Sequence, residues 1–173
     1  MNEGKILIYG NIGDAAGYAM RGGKIYIQGN AGYRAGIHMK AYKEKSPVMI
    51  IGGHAGSFLG EYQAGGTIIV LGLYEGSRPI VGNFPCTGMH GGKIYLRGKC
   101  DDIHFPAQVT ARHAAPEDLD EIREYLSEYC ADFGYSMEEL LSAPFTVITP
   151  CLLYTSDACL LYTSDAADEG LGV

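Results

Sequence analysis

The sequence predicts an all-β chain: a right-handed parallel β-helix of about five coils, with a small helical cap at its C-terminal end. Three observations carry that expectation. Of 25 glycines, 22 precede Lys99. Within that stretch a divergent unit about nineteen residues long recurs. No unit contains a helix-length amphipathic pattern, so the units are not strand–helix–strand crossovers. The glycines follow no G-X-Y triplet, which excludes collagen, and a 47% hydrophobic content excludes a disordered linker.

The elements follow in order. Residues 1–19 align with residues 20–38, and the register continues through SPVMIIGGHAGSFLGEY, AGGTIIVLG and MHGGKIYLRG. The glycines closing the apolar runs, Gly10, Gly29, Gly53, Gly72 and Gly98, are spaced by 19, 24, 19 and 26 residues. Each unit opens on a β-rich run, such as Ile25-Tyr26-Ile27 or Val48-Met49-Ile50-Ile51, which reads as a strand. After it comes G-x-x-G-x-x-x-G: Gly10, Gly13 and Gly17, then Gly29, Gly32 and Gly36, then Gly53, Gly56 and Gly60. These glycines are expected at corners, where they supply positive φ or close backbone approach. A single unit cannot bury its own apolar side chains, so the units must stack about 4.8 Å apart. Right-handedness follows from the general rule for parallel crossovers. Residues 39–46 and 73–87 are then loops inserted into the stack.

After Lys99 the chain changes character. Pro116 with Glu117 and Asp118 begins a helix, since proline and acids both suit a first turn. Leu119, Ile122, Leu126 and Tyr129 then fall on one face. Ser136 and Glu139 form a capping box ahead of Leu140 and Leu141. The expected organisation is thus β-helix over 1–98 and a helical cap over 99–150. Met1 occupies the slot that Met20 fills one coil later, so the chain begins as a repeat already in progress and is expected to be a fragment.

Residues 151–173 are a separate matter. CLLYTSDA at 151–158 recurs unchanged at 159–166, which fits no structural period. The string resembles a translated sequencing-library adaptor and is set aside from fold reasoning. The tail contributes four acids and no base, so the net charge of −7 for the whole chain becomes −3 over residues 1–150. Neither value suits a nucleic-acid partner, which needs a concentrated basic patch. The longest apolar runs are about half a membrane span, and no secretory leader pattern opens the chain. Five cysteines without CxxC spacing imply reduced thiols and a cytoplasmic location.

GKIYIQGNAGYRAGIHMK followed by MIIGGHAGSFLGEYQAGGTIIVLGL resembles the GXGXG domain. That domain is the C-terminal β-helix of the glutamate synthase large subunit, and it also occurs as a separate short polypeptide. EDLDEIREYLSEYCADFG and PFTVITP are similar to the tail of the separate form. The resemblance implies a non-catalytic structural subunit in glutamate biosynthesis. It would brace an amidotransferase partner and a barrel partner that holds FMN and an iron–sulfur cluster, with no cofactor in this chain. A weaker resemblance is to the β-helical subunit of formylmethanofuran dehydrogenase. A reading of another class is a stand-alone carbohydrate-active enzyme with a groove along the helix. Against it, five coils span only about 20–25 Å, and no paired acids recur at one repeat position.

The candidate reactive groups lack the partners their chemistry would need. Lys24 and Lys93 follow glycine pairs but lead into strands, so no phosphate loop is formed. His38, His54, His90, His104 and His113 show no ligand spacing, so no metal site is expected. Cys86 with His90 four residues on lacks an orienting carboxylate, and no catalytic residue is assigned. Asp14, Arg34, Glu61 and Arg78 stand at or beside corners, as a solvated rim or an intersubunit contact. The expected interface lies on two loops: Tyr42, Lys43 and Lys45 on one, Tyr74, Arg78 and Phe84 on the other.

Overall fold

The computed structural model describes residues 1–74 and 76–151; the duplicated tail lies outside the described residues, apart from Cys151. Five apolar runs form β1 (Lys5–Ile8), β2 (Lys24–Ile27), β3 (Val48–Ile51), β4 (Ala64–Val70) and β5 (Gly91–Arg97). Each pairs in parallel with the next, and Ile6, Ile25, Met49, Ile68 and Ile94 stand in one row. The pairing offsets equal the glycine spacing of 19, 24, 19 and 26 residues. A second row of parallel bridges joins Ile12, Ala31, Ala55 and Val81 in the segments after the strands.

The expected all-β, right-handed parallel β-helix is corrected by the remaining elements. They are β6 (Val109–His113), α1 (Pro116–Phe133), α2 (Met137–Leu140) and β7 (Phe145–Pro150). The chain forms one open seven-stranded sheet of order β1-β2-β3-β4-β5-β7-β6. β7 pairs antiparallel with both β5 and β6, so the sheet is mixed. The physical reason lies in the direction of return. The chain travels out through β6, crosses one face as α1, reverses through α2 and re-enters beside β5. FTVITP is apolar enough to cover that edge, and because α2 lies at the Arg97 end of β5 the strand enters there and runs antiparallel.

Alternation along the strands supplies two cores. Ile25, Ile27, Met49, Ile51, Ile68, Val70, Ile94 and Leu96 face the turn segments, where Met20, Ala35, Met39, Leu59 and Cys86 meet them. Tyr26, Ile50, Ile69 and Tyr95 face the other way and pack on Ile122, Leu126 and Tyr129 of α1. Burial on both faces explains why β3 is apolar at all four positions.

Ion pairs register α1 across the strands. Lys5 of β1 reaches Asp132 at 2.5 Å, Lys24 of β2 reaches Glu128 at 3.1 Å, and Lys93 of β5 reaches Glu121 at 2.6 Å. Tyr26 also donates to Glu128. Burial would raise the Glu128 carboxyl, but the hydrogen bonds from Tyr26 and Lys24 leave it below the usual value.

At the helix start, Arg112 grips Asp118 with two hydrogen bonds of 2.6 and 2.9 Å, and the Ala115 N–H adds a third at 2.7 Å. The Arg112 hydrogen bonds, helped by the Ala115 N–H, bring the Asp118 carboxyl down to about 2. A depressed carboxylate stabilises the fold fully above the ordinary range near pH 4. That contribution is lost as pH falls through about 2. Asp118→Asn is therefore expected to cost about 2 kcal/mol at pH 7. The gap to the parent should close below about pH 2, where both side chains are neutral. Denaturant titrations across that pH range read the difference directly, and a pH-independent gap would contradict the assignment.

Candidate interaction surface

Each turn segment holds three left-handed residues, spaced two apart. They are Ala15, Gly17 and Ala19; Arg34, Gly36 and His38; Phe58, Gly60 and Tyr62; and Phe84, Cys86 and Gly88, all with φ between 53° and 74°. The middle residue points inward. A Cβ at Gly60 would stand 2.7 Å from Ile94 Cδ1, and those at Gly17 and Gly36 would overlap Met49 and Ile68. Cys86, the fourth member of this row, is itself fully buried. The flanking residues project outward, so Arg34, Phe58 and Phe84 line one ladder and His38 and Tyr62 another.

The corner glycines thus divide into two kinds. Gly17, Gly36, Gly60, Gly72 and Gly98 hold positive φ. Gly29, Gly32, Gly53 and Gly56 do not, and are required for approach. A Cβ at Gly56 would stand 2.8 Å from Gly32 O, and one at Gly29 would stand 2.7 Å from Gly10 O. Gly10 and Gly13 have nothing within 4 Å of such a Cβ, because no described residue stacks on the first unit. Between units the turns are stitched by side chains. Asn30 N–H donates to Asn11 Oδ1 and His54 N–H to Asn30 Oδ1, both at 2.7 Å, and Tyr33 N–H donates to Asp14 Oδ1 at 2.8 Å. A reading centred on glycines passes over this stitching, although Asn11 and Asn30 hold the same repeat position.

The residues expected at an interface are divided between two regions. Tyr42 and Lys43 form a tight turn closed by two Tyr42–Lys45 backbone bonds of 2.9 Å. The Tyr42 ring carries two cations, Arg21 at 5.7 Å and Lys43 at 5.2 Å. Lys45 is paired to Glu3 at 2.9 Å. Tyr74 is partly spent within the chain, because its hydroxyl donates to Gln28 O at 2.7 Å. Arg78 lines a cleft of about 390 Å³ with Asp14, His54 and Ser57. Phe84, 63% exposed, lies against Phe58 with ring centroids 5.4 Å apart. It also borders a wider cleft of about 490 Å³ that includes Cys100 and His104. Arg34 and Glu61 form an ion pair at 3.0 Å, with the Arg34 guanidinium over the Phe58 ring at 4.6 Å.

The Cys86–His90 pairing does not form a reactive centre. Cys86 is buried while His90 is exposed, and burial pushes the thiol up to about 12. A nucleophilic cysteine needs the opposite shift. Iodoacetamide at pH 8 is expected to leave Cys86 unmodified in the native protein and to label it after unfolding in guanidinium. Mass spectrometry of the peptide reads both states, and rapid native labelling would refute the buried placement. Among the described residues, no group of three or more His, Cys, Asp or Glu is placed to hold a metal ion, and no helix is long and apolar enough to cross a membrane.

This geometry defines a class: a glycine-turn repeat protein whose strands and turns each stack in parallel register. A family model described as the GXGXG motif matches residues 2–151, and the chain belongs to that family. An uncharacterized protein of Methanocaldococcus jannaschii is 43% identical over 132 residues, an alignment that covers 69% of this chain and 51% of that protein. The chain therefore spans about half the length of this curated relative.

Proposed function

We propose that the chain is a non-catalytic structural subunit or domain of glutamate synthase. In this reading it braces the amidotransferase and the FMN and iron–sulfur barrel, which hold the cofactors and carry out the chemistry. The observation that carries the reading is the GXGXG family match over nearly all of residues 1–151, since that domain serves as a structural element in glutamate synthase. The inward-facing thiol of Cys86, raised by burial, also favours a structural role for the most motif-like cysteine.

The test is assembly. The full chain is produced together with the amidotransferase and flavin-barrel polypeptides of a glutamate synthase. The three are expected to co-purify, and glutamine-dependent glutamate formation should fall when this chain is omitted. An active two-component enzyme that neither binds nor needs the chain would end the proposal. So would turnover by the isolated chain, or co-purification with a molybdopterin enzyme in place of the two partners.

A further inference from the structure

Charge is segregated along this chain. Residues 1–99 hold eleven Lys and Arg against five Asp and Glu, whereas residues 100–150 hold two against eleven. Much of the imbalance is settled internally. Lys5, Lys24 and Lys93 pair with α1, Lys45 with Glu3, and Arg34 with Glu61. Arg97 spends its guanidinium on the carbonyls of Glu139 and Leu140.

Three cations are left in one place. Arg21, Lys40 and Lys43 form no ion pair among the described residues, and Glu44 of the same loop does not reach them. Arg21 and Lys40 line a shallow groove of about 260 Å³ with Tyr18, Ala19 and His38. Arg21 and Lys43 bracket the Tyr42 ring, which extends the same surface. Behind the groove runs a ladder of rings: Tyr18 edge-on to His38 at 6.0 Å, and His38 stacked on Tyr62 at 5.1 Å. Tyr18 is 61% exposed and Tyr62 45%. The backbone holds this ladder out, because His38 and Tyr62 both sit at left-handed turn positions. Such residues cost of order 1 kcal/mol each, and here that strain presents rings to solvent.

We infer that the groove between Tyr18, Arg21, His38 and Lys40, with its extension over Tyr42 and Lys43, docks a carboxylate-rich surface segment of a partner polypeptide. Exposed tyrosine and arginine together are the composition of interface anchors. Uncompensated positive charge in an acidic chain selects an acidic counterpart. Nucleic acid fits less well. Three cations neutralise few phosphates, and the stacking of His38 on Tyr62 covers one face of each ring, leaving less surface for a stacked base.

The inference rests on the chain working as part of an assembly, and its test separates the two claims. A fluorescein-labelled octaglutamate peptide is titrated against the full chain and followed by anisotropy, beside a ten-nucleotide oligothymidylate. Arg21→Glu with Lys40→Glu should weaken peptide binding by about tenfold or more. Lys99→Glu, a charge reversal at an exposed lysine outside the groove, should leave binding unchanged. All three substitutions fall on exposed side chains, so unaltered melting curves are expected. Equal weakening by the Lys99 variant, no peptide binding, or tighter binding of the oligonucleotide would overturn the inference. In the co-purification experiment, loss of partners by the double variant alone supports it. If the double variant assembles as well as the parent, the groove is wrong while the assembly reading stands. If the parent captures neither predicted subunit but binds octaglutamate through the groove, the reverse holds.

Discussion

Replacing Gly29 by valine is expected to lower the melting temperature by about 6–12 °C, while the same replacement at Gly10 leaves it nearly unchanged. The two glycines hold the same position in successive units and neither has positive φ, so intrinsic backbone preference does not separate them. Surroundings do. A Cβ at Gly29 would overlap the Asn11 side chain and stand 2.7 Å from Gly10 O and 2.9 Å from its carbonyl carbon. Backbone gives way reluctantly, so overpacking there costs about 3 kcal/mol. The change would also disturb the bond from Asn30 N–H to Asn11 Oδ1. At Gly10 there is nothing within 4 Å, and a surface substitution of that kind usually stays within about 0.5 kcal/mol. Thermal melts of the two variants side by side make the comparison. Equal losses at both positions would mean that the turns do not stack at this separation.

Truncation of Tyr129 to alanine should be the most damaging change on the helix side, at about 4 kcal/mol. This ring is fully buried between α1 and the sheet. It touches Tyr26 at 5.9 Å, Phe133 at 4.7 Å and Tyr135 at 6.0 Å, and its hydroxyl donates to Ile27 O at 2.9 Å. The conservative Tyr129→Phe should cost only about 1 kcal/mol. The Ile27 carbonyl keeps a second donor in the Gly52 N–H at 2.8 Å, so it is not stranded. Chemical denaturation ranks the two variants. Trypsin cleavage at Arg123, on the exposed side of α1, should accelerate in the alanine variant and not in the phenylalanine one. A phenylalanine variant as unstable as the alanine one would show that the hydroxyl, rather than the ring, holds the helix.

What could be read from the sequence follows the range of the interactions. The runs Ile25–Ile27, Val48–Ile51 and Ile68–Val70 declare strands because both their faces are buried and no charged position interrupts them. Pro116 and the row Ile122, Leu126, Tyr129 declare α1 because a helix face is a local pattern. The strand FTVITP lies within the stretch expected as a helical cap, and neither its existence nor its direction could be read. Its pairing with β5 joins residues about fifty apart, and a short β-prone run looks alike whichever way it runs. The turns were half legible. Glycines drew notice as corners, yet much of the left-handed backbone falls on Arg34, His38, Phe58, Tyr62, Phe84 and Cys86. The signal was present in the alignment of GYRAGIH with GSFLGEY and GNFPCTG, which places these residues in the same slots. The groove lay further from view, because Tyr18 meets His38, and Arg21 meets Tyr42, only once successive units have stacked.

The position of β7, inside the sheet yet last in sequence among the described strands, sets an order of events during synthesis. Strands β1 to β5 can pair as each emerges, since every partner is already made. The outer edge of β5 has no such neighbour until Phe145–Pro150 leaves the ribosome and slots between β5 and β6. For the time taken to translate about fifty residues, at roughly 5–20 per second, that edge is bare. Unpaired apolar edges are templates for wrong partners. A nascent chain stalled before Phe145 would therefore carry an assembled parallel stack with an adhesive flank, and the final six residues of the sheet act as its closing strip.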